Sequence, residues 1–101
     1  MEKPRAAPEQ SASARTRELI EPYSELSLRA ATARAGLRSL KQQMASQGLG
    51  LRSDIVEAEA RMDFRLAEAK RAIAAGDVES ANRNLGMARY AVASIEKFLG
   101  H

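Results

Sequence analysis

Apolar residues recur at alternating steps of three and four in three separate runs of this chain, and that spacing constrains its fold more than any single residue does. The first run is Leu19, Tyr23, Leu26, Ala30, Ala33, Leu37, Leu40 and Met44, and the last is Val78, Ala81, Leu85, Ala88, Val92, Ile95 and Leu99. Between them Ile55, Ala58, Met62, Leu66, Ala69 and Ile73 repeat the pattern. On a helix this spacing gathers the apolar side chains into one seam, whereas a half-buried strand alternates at every second residue. The seams predict an all-α fold: an antiparallel three-helix bundle, or a helical hairpin with a long first helix. A packing seam serves scaffolds, adaptors and subunits alike, so the fold class does not by itself assign an activity.

At 101 residues the chain is one domain at the small end of what folds alone, so association with a copy or a partner adds useful burial. There is no cysteine, which excludes a disulfide framework, a thiolate nucleophile and thiolate zinc sites. No apolar run approaches the roughly 20 residues that span a bilayer, and the opening MEKPRAAPEQSASA lacks the hydrophobic core of a signal peptide. The expectation is a cytoplasmic chain, unless it is a piece cut from a longer exported protein. Net charge is +3, modest for a nucleic-acid binder. Its distribution is uneven. Arg29, Arg34, Arg38, Lys41 and Arg52 stand without an acid from Leu26 to Ser53, and acids predominate from Asp54 to Glu79. A basic first helix beside an acidic second one favours their pairing.

Residues 1–18, with Pro4 and Pro8 among Ala, Ser and charge, show no apolar period and read as a disordered tail or linker, leaving 19–101 as the bundle domain. Pro22 suits the first turn of a helix, where its missing N–H is not needed, so the regular part of helix one is expected at 22–47. SQGLGLRS ends it, with Leu49 and Leu51 tucked under the bundle end. Helix two is expected to start at Asp54, which has Glu57 three residues on as a capping box requires. Gly76 supplies a left-handed stop and Asp77 a cap for helix three, which runs from Val78 to Leu99. Glu57–Arg61 and Glu79–Arg83 have the favourable four-residue order for ion pairs.

A second apolar strip runs along two of the helices. Val56, Ala60, Phe64 and Ala67 form it on helix two, and Met87, Ala91 and Phe98 on helix three. One helix covers only one side of a two-helix hairpin, so part of this strip is expected to stay open in a monomer. Either it is a self-association or partner-binding face centred on Phe64, Met87 and Phe98, or wide packing faces absorb it and the aromatics fill the bundle ends.

The stretch AAGDVESANRNLGMA, residues 74–88, resembles the turn and second helix of a tetratricopeptide-type helical hairpin. Gly76 and Asp77 fall at the family's turn, Val78 in its aromatic-or-aliphatic slot, Ala81 and Ala88 at its small positions and Leu85 at its large one. Ala69 matches the small residue of the preceding helix, whereas Glu68 and Ala72 stand where large apolar residues belong, and no proline follows helix three. The resemblance implies a hairpin of protein-interaction type, without a peptide-binding groove. It occurs once, and repeat folds need about three stacked copies.

Chemistry requires a nucleophile, base or metal in a dry pocket, and none of these is recognisable here. The single His is the terminal residue, His101, which frays. Glu59 and Asp63 share a helix face but lack the Glu-x-x-His partner of a di-metal bundle site, so they read as a solvated acidic face. QGLGLR lacks the strand and the Lys-Ser/Thr of a phosphate-binding loop. The expectation is therefore no enzyme, no cofactor, no metal and no small-molecule substrate. Its partner is expected to be a protein or a second copy of the chain. The alternative is a nucleic-acid-associated protein using Arg34, Arg38 and Lys41 on one flank of helix one. No aromatic interleaves with them, so pairing with helix two or plain solvation is favoured. Membrane-surface binding is disfavoured because the helix-one seam is half Ala or Tyr and is committed inside the bundle.

Overall fold

A computed structural model of the chain describes residues 14–100. Three helices make up its regular structure: α1 (Ile20–Ala45), α2 (Ser53–Ala75) and α3 (Val78–Leu99). No strand occurs among the described residues. Residues 1–13 of the tail expected over 1–18, and His101, lie outside the described residues. Residues 14–17 form a helical turn leading into α1, with Thr16 buried, so helical backbone begins before the boundary expected at 18. Pro22 lies in the first turn of α1, as its chemistry requires.

The helix ends follow from local backbone chemistry. Past Ala45 the chain closes with Gly48 at φ 74°; its N–H donates to the Ala45 carbonyl at 3.0 Å and the Leu49 N–H to that of Met44 at 2.8 Å. The same double bond ends α2. Gly76, at φ 75°, donates to Ile73 at 3.1 Å, and Asp77 donates to Ala72 at 2.9 Å. Both are Schellman closures, in which a left-handed residue lets two successive amides reach back to otherwise unpaired carbonyls. Asp77 then reverses role at once, its carboxylate accepting the Ser80 N–H at 3.0 Å to cap α3. A connection this short forces α2 and α3 to be antiparallel neighbours.

Two expectations at the other junction are corrected. Helix α2 starts at Ser53, and Asp54 does not cap it, because its carboxylate is engaged by the side chain of Arg52. Leu51 packs against the core, but Leu49 is 56% exposed because the turn directs it outward.

The middle of each expected seam builds the core, while Leu40, Met44, Ile73 and Val78 of those seams are only half-buried. Leu26, Ala30, Ala33 and Leu37 from α1, Ile55, Ala58, Met62, Leu66 and Ala69 from α2, and Leu85, Ala88, Val92 and Ile95 from α3 form one buried cluster. Half of the sixteen buried apolar residues are alanine, so little side-chain bulk separates the helix axes, and α2 and α3 make the most extensive contact in the molecule. Helix α1 rests across this hairpin, more on α3 than on α2. It runs antiparallel to α2, with Tyr23 beside Ile73 and Arg34 paired with Asp63, and parallel to α3, with Arg29 paired with Glu96 at 2.7 and 3.0 Å and Gly36 beside Leu99. The Glu96 carboxylate holds the Arg29 guanidinium above its ordinary pKa. The basic helix thus pairs with both neighbours rather than with α2 alone. Of the two expected intrahelical pairs, Glu57–Arg61 forms loosely at 3.8 Å, whereas Arg83 takes no ion-pair partner among the described residues.

Candidate functional site

Among the described residues, helix α1 covers one side of the α2/α3 hairpin and nothing covers the other. A groove runs along that open side. Its first part, about 520 Å³, has Ala58, Gly86 and Ala91 as floor, Met87, Tyr90 and Ser94 as one wall, and Arg61, Arg65, Asn82 and Arg83 at its margins. A second concavity of about 650 Å³ shares Ala58, Arg61, Tyr90 and Ser94 with the first and extends it to Arg52, Asp54, Ile55, Lys97 and Phe98. From Asn82 to Phe98 the groove follows α3 for roughly 24 Å at about 1.5 Å of rise per residue. Its deepest positions are small residues and its most exposed ones are large: Tyr90 is 76% exposed and Met87 42%.

The charges around it are one-sided. Arg52, Arg61, Arg65, Arg83 and Lys97 face the groove against the single acid Asp54. Arg65 is held in place from below. Its guanidinium donates to the Asn84 side-chain oxygen at 3.0 Å, while the Asn84 amide donates to the Ser80 carbonyl at 2.9 Å. Asn84 is only 5% exposed, and these bonds satisfy its buried amide. The signal for it was present in the sequence: of the two asparagines between Ala81 and Ala88, Asn84 is the one a helical turn from each, on the edge of the apolar seam. Arg65 also lies over the Phe64 ring, at 5.2 Å from its centroid.

The three residues expected to form a partner face are not brought together. Met87 lies in the first part of the groove and Phe98 at its far end. Phe98 is half-buried against the core beneath the Arg52 guanidinium, 5.3 Å from its ring centroid, so it belongs partly to the bundle end. Phe64 is 55% exposed and does not line the groove, because it projects from the side of α2 opposite the seam. Ala91, placed by its spacing on the second strip, is buried at 4% because α2 and α3 approach so closely.

The alternative basic flank is also divided. Arg34 is committed to Asp63, while Arg38 and Lys41 are exposed and take no ion-pair partner among the described residues. Glu59 and Asp63, considered for a cation, are separated in role, since Asp63 accepts from Arg34. No helix among the described residues is long and apolar enough to cross a membrane.

Arg52 and Asp54 at the groove's end form a bidentate pair at 3.1 and 2.8 Å. Hydrogen bonding from Arg52 holds the Asp54 carboxyl below its ordinary 3.8. A lowered carboxyl pKa means that the folded chain binds fewer protons than the unfolded one, so the pair contributes above about pH 4 and its contribution disappears as acid protonates Asp54. Asp54→Asn should lower the melting temperature slightly at neutral pH and leave it unchanged at about pH 2, a difference read by paired thermal melts followed by circular dichroism.

The fold and groove define a class: a small, all-helical, three-helix bundle with one open, basic-rimmed face. Comparison with family models, with curated proteins and with solved structures finds no match to this chain, so the tetratricopeptide-like spacing of residues 74–88 gains no counterpart from them.

Proposed function

We propose that this chain is a non-enzymatic helical protein–protein interaction module that binds through the open face of the α2/α3 hairpin. The observation that carries this reading is the pairing of a groove whose first part is mainly apolar with large exposed side chains, Tyr90 and Met87, on a helix whose opposite face is packed into the core. Water contact with such a surface is unfavourable, and a second apolar surface laid on it removes that cost. A bundle needs no exposed tyrosine for its own stability. Asn84 and its bond to Arg65 fix one margin of the groove without any side chain suited to proton transfer in the floor. This supports recognition rather than reaction.

A photo-crosslinking amino acid at position 90, compared with one at Ser39 on the exposed side of α1, tests the reading in cells producing the chain. Position 90 should give a crosslinked species of discrete mass, either a dimer or a complex with one other protein, and Ser39 should give none. Equal, diffuse labelling from both positions would remove the basis for this function.

A second reading, nucleic-acid association, draws on Arg38 and Lys41, which take no ion-pair partner among the described residues. It has lost Arg34 to an internal ion pair.

A further inference from the structure

We infer that the groove's occupant is an acidic amphipathic helix of another protein, one with apolar residues along its centre and Glu or Asp on both flanks. This rests on the open hairpin face being the binding surface, and it specifies what binds there. The groove lies between two antiparallel helices and has a floor of small residues, Ala58, Gly86 and Ala91. That shape accepts a third helix, whose large apolar side chains at three-and-four spacing fill the hollows between the small ones. At roughly 24 Å the groove seats about sixteen helical residues.

Charge selects among helices. Arg61 and Arg65 stand on the α2 margin, with Arg83 and Lys97 on the α3 side, so both flanks of a docked helix face cations. Arg83 and Lys97 have no ion-pair partner among the described residues, and Arg61 reaches Glu57 only at 3.8 Å, so these cations are available. The molecule already uses this arrangement internally. Helix α1 lays its apolar seam on the same hairpin from the other side, and its docking is flanked by Arg34–Asp63 and Arg29–Glu96. There the docked helix supplies the arginines and the hairpin the acids; on the open side the hairpin's own margins are cationic, apart from Asp54, which Arg52 engages. A second copy laid groove to groove would bring both sets of arginines together, which disfavours the symmetric dimer.

Gly86 supplies an independent observation. It sits inside α3, where glycine weakens a helix relative to alanine, yet a Cβ built there meets nothing within 4 Å. Nothing within the described residues requires its missing side chain. Gly36 differs, since a Cβ there would come within 2.8 Å of Leu99 Cδ1. A partner backbone approaching the groove floor accounts for the glycine at 86.

The test uses the full chain and a fluorescein-labelled synthetic helix of about eighteen residues, with Leu at three-and-four spacing and Glu on both flanks, followed by anisotropy. Its control is the same peptide with Lys for Glu. The acidic peptide should bind, weaken by about tenfold when salt rises from about 0.05 to about 0.5 M, and weaken by about tenfold for the Arg61→Glu/Arg83→Glu variant. Gly86→Phe should block binding, and Gly86→Ala should weaken it less. All three positions of substitution are solvent-facing, so circular dichroism should be unchanged; Arg61→Gln/Arg83→Gln replaces the reversed pair if helicity falls. Equal binding of the Lys peptide, or indifference to the arginine variants, overturns the inference. No peptide binding together with a concentration-dependent dimer abolished by Gly86→Phe also overturns it, while leaving the interaction reading intact. Tighter binding of a single-stranded oligonucleotide through the same arginines overturns both, as does the absence of peptide binding, of a dimer and of any crosslink from position 90.

Discussion

Leu37→Ala should lower the free energy of unfolding by about 3 kcal/mol, within the roughly 2–5 kcal/mol range for emptying a leucine-sized core site. Leu37 has no exposed surface, and it belongs to the four-residue stripe by which α1 enters the core. The other members nearest to it are Ala30 and Ala33, too small to close a cavity by shifting toward it. A small domain has only a few kcal/mol to lose, so much of the cooperative transition in urea should move into the pre-denaturing range. The loss should fall unevenly across the molecule. Since α2 and α3 hold each other more extensively than either holds α1, hydrogen exchange should show the α1 amides losing protection ahead of those in α2 and α3. Leu28→Ala provides the control, because Leu28 is 70% exposed and its removal should change stability by less than about 0.5 kcal/mol. Equal protection loss in all three helices would mean that the molecule unfolds as one unit rather than by release of α1.

The seams were readable because a helix converts a one-dimensional spacing into a face without help from the rest of the chain. Every apolar residue of the clustered core except Ala91 was on a predicted seam. The Gly76–Asp77 junction was readable for a related reason. A left-handed residue followed by a side-chain cap is a local requirement, and few residue pairs meet it. Where two local solutions compete, the pattern loses its authority. At the start of α2, Asp54 has the spacing of a cap, but Arg52 is close enough to bind its carboxylate, and the helix begins one residue earlier.

The groove was only half readable. Periodicity shows that α2 and α3 carry a second apolar strip, but not the azimuth at which α1 settles on the hairpin, and that azimuth decides which residues stay open. Met87 ends in the groove, Phe98 turns into the bundle end and Phe64 points away from both. Tyr90, 76% exposed, belongs to no strip, since it lies on the outer side of α3, where it lines the groove one turn after Gly86. The basic margin was hidden for the same reason. Arg61, Arg65 and Arg83 are scattered among acids in the sequence and converge only when two antiparallel helices bring their margins together.

How close that approach is can be measured by making it impossible. Ala88→Leu should cost about 2 kcal/mol or more, in the upper part of the usual overpacking range, because Ala88 has no exposed surface and sits where the most extensively packed helix pair meets. Three added carbons have nowhere to go without moving an axis. The facing side of α2 is itself rich in alanine, with Ala58, Ala69 and Ala72 buried, and its longer members Met62 and Leu66 are already packed into the cluster, so there is little free volume to admit them. The helices must separate, and the separation reaches the groove, whose floor is built from Ala58 and Ala91 on the two helices. Ala93→Leu, on the exposed side of the same helix, adds the same atoms with the same helix propensity and should change stability by less than about 0.5 kcal/mol. Urea melts of the two variants therefore isolate packing from propensity. A midpoint for Ala88→Leu equal to that of Ala93→Leu would mean that the alanine seam is not tight, and that the groove's small floor reflects composition rather than the contact between α2 and α3.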